Sequence, residues 1–99
     1  MSRVSGRPYF VYVLWSEVGR RFYTGVSEDP GQRLSQHNEW QSRWTSRYRP
    51  WTLVFEELFP SYTAARKREL LLKRQKGGEG FYKLTGLDPS RFRSGSWGS

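Results

Sequence analysis

The feature that most constrains the fold is an unbroken apolar and aromatic run over residues 9–15, close to the start of the chain. Its Tyr, Phe, Val and Trp side chains favour extended backbone, so the run predicts a mostly buried strand. A turn punctuated by Gly19 follows, and residues 21–26 predict a second strand. The two segments predict an antiparallel hairpin with Tyr12 and Tyr23 on partner strands. Its register stays open, because a slip of one residue would turn a side chain to the opposite face.

A helix and a third strand are expected after the hairpin. Asp29 and Pro30 are typical of a helix start, because Asp accepts hydrogen bonds from free amide groups and Pro suits the first helical position. This helix is expected to end near Asn38. Residues 51–59 are again apolar and aromatic and predict a strand that has Leu53 and Phe55 on one face.

The last part of the chain predicts two more helices and a tail. Residues 62–75, preceded by a capping Ser, predict a helix, and residues 79–85 predict a shorter one. We expect residues 1–8 to be flexible, residues 9–87 to form one domain, and residues 88–99, which are basic and rich in Ser and Gly, to be disordered. The element order predicts an α+β domain, in which helices flank a small three-stranded antiparallel sheet (order β-β-α-β-α-α).

Composition limits the class of protein to which the chain can belong. Its 99 residues suit one domain, and five Trp, six Tyr and six Phe can supply a core. Cysteine is absent, which excludes a disulfide framework and a Cys-based zinc site. No apolar run approaches the roughly 20 residues needed to span a bilayer, and the N-terminus lacks the apolar stretch of a secretory signal. We therefore expect a cytoplasmic or nuclear protein rather than a secreted or membrane protein.

The net charge of +8 indicates a polyanionic partner. Nucleic acid is the commonest polyanion bound by small basic domains. An anionic membrane surface is the competing partner, which a basic helix with an exposed aromatic face would favour.

Glu69 is the first candidate for chemistry, because its spacing from Ala65 and Leu72 places it beside the apolar stripe of the second predicted helix. The simpler interpretation is a surface carboxylate that pairs with Lys73 at i,i+4. The functional one is a ligand for a hard cation, since Mg²⁺ needs only one or two protein oxygens besides substrate phosphate.

Arg33 and His37 share one face of the first helix at i,i+4. A lone His is more often structural than catalytic, but this pair would present a fork of donors beside a titratable imidazole. Tyr12 and Tyr23, taken alone, are best interpreted as core rings. A phenol close to a reacting water could instead accept or relay its proton.

A basic and aromatic segment separates the first helix from the third strand. Arg suits phosphates, and aromatic rings can stack on unpaired bases. The alternative is a basic loop whose Trp residues complete the core. We assign Trp51 to the core and expect the arginines, together with Lys73, to bind nucleic acid. The segment interleaves Arg43, Arg47 and Arg49 with Trp44, Tyr48 and Trp51.

Five segments, in this order and spacing, resemble the GIY-YIG endonuclease superfamily, especially its small single-domain members. The resemblance covers residues 9–87. Two segments lie in the predicted hairpin: Phe10-Val11-Tyr12 stands for Gly-Ile-Tyr, and Tyr23-Thr24-Gly25 stands for Tyr-Ile-Gly. Residues 33–38 stand for the helix motif Arg-x-x-x-His-Asn. The last two segments are Trp44-Thr45 with residues 49–54, for the part that leads into the third strand, and residues 65–69 with Lys73, for the helix that carries a metal-binding Glu.

This resemblance implies a DNA endonuclease, with branched or single-stranded DNA among its candidate substrates. Glu69 would hold one Mg²⁺ or Mn²⁺ at the scissile phosphate, and Arg33 would stabilise the charge on the phosphoryl group. Tyr12 or Tyr23, with His37, would position or deprotonate the attacking water.

Further details of the resemblance concern the second strand and the partners. Gly25 would let the backbone approach closely beside Tyr23. Phe10 and Val11 replace the Gly and Ile of the first motif, and Val26 stands where some members have Lys, which removes a cation near Tyr23. Larger members carry a separate DNA-binding domain that we do not expect here. Target choice would then depend on the domain's own loops or on a protein partner.

Two other functions fit parts of the sequence. A non-catalytic nucleic-acid-binding module with a degenerate nuclease site would use the charge and the arginines, and its affinity would fall steeply as salt rises. A structural or ribosome-associated basic protein would make no use of the Tyr, Arg, His and Glu set, and we rank it last.

Overall fold

A computed structural model describes residues 7–39, 47–76 and 78–92 of the chain. Its α+β architecture and element order confirm the predicted fold class, with one helix more at the C-terminal end. Within the described residues the elements are β1 (Tyr9–Ser16), β2 (Arg21–Ser27), α1 (Pro30–Asn38), β3 (Trp51–Phe59), α2 (Tyr62–Arg74), α3 (Glu79–Thr85) and α4 (Pro89–Phe92).

The three strands form one antiparallel sheet in the order β2-β1-β3. The apolar run seen in the sequence is therefore the central strand. Every β1 residue from Val11 onward is buried, because neighbouring strands lie on both sides of it and packed side chains lie on both faces. The strand β2 is left at one edge of the sheet, which bears on the site described below.

A β-bulge separates Leu53 from Phe55. Val13 pairs with Phe55 but Leu14 pairs with Leu53, so Val54 is an extra residue in β3. The bulge turns Leu53 toward Leu14 and Phe55 toward Val13, on opposite faces of the sheet. The prediction that Leu53 and Phe55 share a face was wrong, because strict alternation assumes an unbroken ladder.

Each face of the sheet carries its own core. The face covered by α2, α3 and α4 is the main core, and the face covered by α1 is the second core. The main core consists of Val11, Val13, Trp15, Ala65, Leu72, Phe81, Tyr82 and Phe92. The second core consists of Tyr12, Leu14 and Trp51, with Tyr23, Leu34, Tyr48 and Leu53 packed against them.

Both predicted helix starts are confirmed by side-chain caps. The amide of Gln32 donates to Oδ1 of Asp29 over 3.1 Å at the start of α1. The amide of Ala64 donates to Oγ of Ser61 over 3.2 Å at the start of α2. These bonds satisfy amide groups that have no partner within the helix. None of the described helices is both long and apolar enough to cross a bilayer.

The predicted disorder beyond residue 87 does not hold for Pro89–Phe92, which form α4. Phe92 is buried, with its ring centroid 5.1 Å from that of Trp15 and 5.3 Å from that of Phe22. The Arg20 guanidinium also donates to the Phe92 carbonyl over 3.0 Å. One large ring is enough to dock a segment whose composition predicts disorder. The expectations for residues 1–6 and 93–99 fall outside the described residues.

Candidate active site

Tyr12 and Tyr23 lie on the same face of the hairpin. Tyr12 pairs with Gly25, and Tyr23 pairs with Leu14, so the two tyrosines are diagonal neighbours across β1 and β2. Their ring centroids are 6.4 Å apart. Tyr12 is almost fully buried and Tyr23 is half-buried. The pair therefore forms one wall, with Tyr12 at its base and Tyr23 nearer the surface.

Gly25 makes room for the Tyr12 ring. A Cβ on Gly25 would lie 2.6 Å from Oη of Tyr12 and 2.7 Å from its Cζ. Such distances are sterically forbidden, so glycine is required for the observed position of the ring. The Tyr12 phenol thus crosses the backbone of the edge strand. The sequence predicted a close approach at Gly25 beside Tyr23, and the structure shows that the approaching group is Tyr12.

Arg33 brings a cation to the Tyr12 phenol. Its interaction with the Tyr12 phenol raises the pKa of Arg33. A hydrogen bond from Nη1 of Arg33 to Oε1 of Gln36 over 2.9 Å steadies the exposed side chain. Burial raises the pKa of Tyr12, while the hydrogen bond from Arg33 lowers it in part. The net direction is upward, so the phenol of Tyr12 keeps its proton at neutral pH.

His37 packs against the other tyrosine. Its ring centroid lies 4.6 Å from that of Tyr23, at an interplanar angle of 57°. The side chain is buried. Burial lowers the pKa of His37, and the charge of Arg33 lowers it further. The imidazole is therefore neutral at pH 7, a state that can accept a proton.

Glu69 is buried, although it is charged and lies on a helix with many basic residues. Only 6% of the residue is exposed. Oε1 of Glu69 lies 2.5 Å from Nη1 of Arg66, and Oε2 lies 3.0 Å from Nζ of Lys73. Its charge also contributes to the raised pKa of Tyr12, which burial dominates. The expected pair with Lys73 is thus present, the pair with Arg66 was not predicted, and the carboxylate acts on the Tyr12 phenol.

The carboxylate of Glu69 is the candidate ligand for a metal ion. Among the described residues no group of three or more His, Cys, Asp or Glu side chains comes together. A site with one protein carboxylate suits Mg²⁺, which keeps several waters and takes further oxygens from substrate phosphates. It does not suit a metal that needs a full protein cage. The donor set therefore fits Mg²⁺ or Mn²⁺ bound together with a phosphate.

A pocket of about 310 Å³ opens beside these residues, between β2 and α2. Tyr23 and Lys73 belong both to its lining and to the set described above. The full lining is Arg21, Phe22, Tyr23, Thr24, Leu72, Lys73, Lys76 and Phe81.

The predicted nucleic-acid-binding arginines have different surroundings. Nη1 of Arg49 donates to the carbonyl of Asn38 over 3.2 Å, at the end of α1. Arg47 is exposed. Arg43 falls outside the described residues. Arg49 therefore has a structural contact besides any role on a substrate, and Trp51 is buried as predicted.

Asn38 is a positioning residue that sequence reasoning missed. Its Nδ2 donates to the carbonyl of Trp51 over 3.2 Å, and the amide of Trp51 donates to its Oδ1 over 2.6 Å. The two bonds fasten the end of α1 to the start of β3, and so fix the helix that carries Arg33 and His37. The only signal in the sequence was its place directly after His37 in the helix motif.

The five predicted catalytic side chains converge on one place. The Tyr12 ring lies beside that of Tyr23, the pKa of Tyr12, which burial raises, also responds to Arg33 and Glu69, and Tyr23 packs on His37. A phenol, a cation, a neutral imidazole and a carboxylate are thus grouped at the edge strand of the sheet. This convergence is what the sequence alone could not establish.

A comparison with known families matches residues 8–81 to the GIY-YIG catalytic domain. The chain belongs to the GIY-YIG family. The match covers all three strands together with α1 and α2, and with them all five converging residues. The remainder, including α4, lies beyond the matched GIY-YIG segment.

Two relatives show the range of proteins in which this GIY-YIG domain occurs. The chain is 42% identical over 81 residues to the structure-specific endonuclease subunit SLX1 of Meyerozyma guilliermondii, covering 74% of this chain and 27% of that protein. It is 36% identical over 66 residues to a UPF0213 protein of Staphylococcus aureus, covering 66% of this chain and 79% of that protein. The chain thus spans about a quarter of the fungal protein and most of the bacterial one.

Proposed function

We propose that this GIY-YIG domain is a metal-dependent endonuclease that hydrolyses phosphodiester bonds of DNA, with branched or single-stranded DNA as its substrate class. The observation that carries the proposal is the position of the Tyr12 phenol. Burial raises the pKa of this phenol, Arg33 lowers it in part and the buried Glu69 carboxylate raises it further, so a cation and a carboxylate both act on one hydroxyl. A phosphate placed there would meet a cation on one side and a candidate metal ligand on the other.

Arg33 has the role of stabilising charge on the phosphate. Its side chain is exposed at the sheet edge and is steadied by Gln36 and Tyr12. A guanidinium that is already in position before the reaction stabilises the negative charge that builds up on phosphoryl oxygens during hydrolysis. Its fork of donors also fits two phosphate oxygens at once.

The tyrosines have different roles in this proposal. Because burial keeps the proton on Tyr12, this phenol donates a hydrogen bond and orients the phosphate or the water. Tyr23 is half-buried, borders the pocket and packs on the neutral ring of His37. The attacking water forms the new bond to phosphorus, and its proton passes to the neutral imidazole of His37, either directly or through the Tyr23 hydroxyl, which takes it up while giving its own proton to His37. The bond from phosphorus to the 3′ oxygen then breaks.

Glu69 would hold one Mg²⁺ or Mn²⁺. When bound, the metal supplies charge stabilisation at the leaving 3′ oxygen. Arg66 and Lys73 occupy both oxygens of Glu69, so they must release the carboxylate as the site is loaded. Both side chains are about half exposed and are free to turn toward substrate phosphates.

DNA as the substrate is supported by charge and by relatives. A net charge of +8 attracts a phosphate backbone, and the affinity should fall as salt rises. The name of the fungal relative describes a structure-specific endonuclease subunit, which supports branched DNA as a substrate class. The word subunit also supports a protein partner that helps to select the target.

The proposed function is tested by cleavage assays with a matched pair of variants. Labelled single-stranded, duplex and branched DNA are incubated with Mg²⁺ or Mn²⁺ and with wild-type protein, Glu69→Gln or Glu57→Gln. Glu57 is the control, because it is a partly exposed carboxylate that pairs with Arg68 of α2 over 3.4 Å. We expect Glu69→Gln to lose at least ~10³-fold of the cleavage rate while DNA binding is kept or tightened. Equal cleavage by Glu69→Gln and wild type would exclude Glu69 as the catalytic carboxylate.

A non-catalytic nucleic-acid-binding module is the second candidate, and one observation favours it. Both oxygens of Glu69 are already paired with cations of its own helix, so the carboxylate can serve as a purely structural group. This candidate predicts binding that weakens steeply with salt and no cleavage of any DNA form with either metal.

A further inference from the structure

The pocket between β2 and α2 has an apolar floor and a basic rim. Phe22, Leu72 and Phe81 form the floor, and Lys73 and Lys76 stand at the rim. Both lysines are exposed. None of the eight lining residues carries a carboxylate. The surface therefore suits a ligand that joins a flat apolar group to negative charge.

The floor offers an aromatic surface. Phe22 is half-buried, and its ring centroid lies 4.7 Å from that of Phe81 in the main core. Packing on Phe81, Trp15 and Phe92 holds the Phe22 ring in place, and the half-buried residue contributes to the lining of the pocket. An immobilised ring of this kind stacks a planar group at low entropic cost.

The wall on the side of the sheet offers backbone hydrogen bonds. Among the described strands β2 pairs with β1 alone, so alternate N–H and C=O groups of this edge strand point away from the sheet. Arg21 contributes to this wall, although its guanidinium lies over the Tyr48 ring at 4.4 Å and so faces away from the pocket. Donors and acceptors along a strand edge can pair with the polar edge of a nucleobase.

The location of the pocket links it to the candidate active site. Tyr23 belongs to both, and Lys73 lines the pocket while it pairs with Glu69. The shared strand residue and the ion pair between Lys73 and Glu69 therefore make the pocket a neighbour of the candidate active site. A volume of about 310 Å³ lies at the lower end of the range for ligand pockets and excludes a base pair within a duplex.

We infer that the pocket binds one unpaired nucleotide directly beside the scissile phosphate, with the base over Phe22 and the adjoining phosphate at Lys76. The inference deepens the proposed function and rests on it, because it names the DNA feature that the site selects. A paired base must leave its stack to enter the pocket, which costs a few kcal/mol, whereas an unpaired base enters without that cost. Flaps, branch points and single strands are then favoured over a continuous duplex.

The first experiment removes single bases from the substrate. An abasic position is moved through the unpaired arm of a flapped DNA, and affinity is measured by fluorescence anisotropy with Ca²⁺ to prevent cleavage. We expect one position at which loss of the base weakens binding by about 10-fold, in line with the worth of one base stacked on an aromatic ring. The same abasic position within a fully paired duplex should have less than a 2-fold effect. Uniform affinity along the unpaired arm would overturn the inference.

The second experiment fills the pocket. Thr24, a buried residue of its wall, is replaced in Thr24→Met, and the control is Thr52→Met on the exposed side of β3. Thermal unfolding establishes that both variants fold. In Thr24→Met the sensitivity to the abasic position should vanish, whereas in Thr52→Met it should persist. Persistence of the sensitivity in folded Thr24→Met would refute the pocket as the site of the base.

A third measurement needs no variant and remains decisive where Thr24→Met fails to fold. 5-Iodouracil at the sensitive position is crosslinked by light to the wild-type protein, and the adduct is mapped by mass spectrometry. We expect the adduct in tryptic peptides 22–33 or 77–83, which hold Phe22 and Phe81. An adduct elsewhere contradicts the inference.

The pocket and the proposed function can fail separately. Cleavage that depends on Glu69 without a sensitive base position removes the pocket and leaves the nuclease. A sensitive position without cleavage of any DNA removes the nuclease and leaves a reader of unpaired bases.

Discussion

The ring of Tyr12 covers the backbone of Gly25 so closely that a Cβ on this glycine would lie 2.6 Å from the phenolic oxygen. Gly25 of the second motif thus provides the space that the ring of Tyr12 from the first motif occupies. This relationship explains why two motifs on different strands occur together, and it leads directly to a first prediction.

Gly25→Ala should displace the Tyr12 ring and remove most cleavage activity. A misplacement of about 1 Å costs roughly 10²-fold in rate, so we expect a loss of at least that size. Overpacking should also cost about 1–3 kcal/mol in the free energy of unfolding. Gly31→Ala is the control, since the nearest atom to its added Cβ, Oδ1 of Asp29, would lie at an ordinary 3.5 Å. Cleavage rates and urea unfolding measure the two effects. A fully active Gly25→Ala would contradict the claim that glycine is needed at this position for the Tyr12 ring.

Tyr12→Phe and Tyr23→Phe should separate the two phenols. Tyr12→Phe removes a donor while keeping a buried ring, and Tyr23→Phe removes the hydroxyl of the ring that packs on His37. If Tyr23 takes part in the proton transfer and Tyr12 only orients, both variants lose about 10²-fold in rate. The pH dependence of cleavage should then change in Tyr23→Phe and keep its shape in Tyr12→Phe. The reverse pattern would exchange the two roles.

His37 should make the protein less stable in mild acid. Burial and the charge of Arg33 lower the pKa of His37 in the folded protein below its ordinary value near 6.5. At a pH between the folded and the unfolded pKa, the unfolded chain therefore binds a proton that the folded chain does not. The free energy of unfolding therefore falls as the pH drops from about 6.5 toward the folded pKa, by about 1.4 kcal/mol for each unit of depression.

This pH effect can be measured directly, because His37 is the only histidine in the sequence. Its imidazole proton resonances, followed by NMR, report the pKa of this residue alone. Urea unfolding at pH 7.5 and 5.5 measures the loss of stability, and His37→Gln should show a smaller loss. A pKa of His37 at or above 6.5 would contradict the expectation.

Arg66→Ala should let Glu69 bind a metal ion more tightly in the absence of DNA. Arg66 holds Oε1 of Glu69, and its removal frees one oxygen from a competing cation. A charge pair with one half-exposed partner is worth about 1 kcal/mol, so Mn²⁺ affinity should rise about 5-fold. Electron paramagnetic resonance of free Mn²⁺ measures this, with Lys67→Ala, an exposed cation on the same helix, as the control. An equal gain in both variants would indicate a general effect of charge.

Much of the fold follows from local signals in the sequence. Asp29 with Pro30 and Ser61 mark helix starts, and the run through Tyr12 becomes the central strand. These features were predictable because each depends on neighbours in the chain. The bulge at Val54 depends on how β3 meets β1, which no alternation pattern contains.

The sequence predicted which residues belong to the candidate site, but it did not predict how they are placed relative to one another. The spacing of Glu69 from Ala65 and Leu72 indicated only that it borders the apolar stripe, although the residue is buried, and Lys73 at i,i+4 indicated one ion pair. The placement of Tyr12 across Gly25 and the anchoring of α1 through Asn38 join segments far apart in the chain. Contacts of that kind become visible only once the strands are paired.

Because the Phe92 ring packs on the main core, a stable fragment of the chain must extend beyond the end of the GIY-YIG match. A fragment ending at residue 81, where the GIY-YIG match stops, would uncover the faces of Trp15 and Phe22 that α4 closes. Uncovered aromatic surface of this kind promotes association between molecules. A fragment trimmed to the matched segment should therefore self-associate more readily than the longer chain. Assays on such a fragment would confuse self-association with binding to DNA.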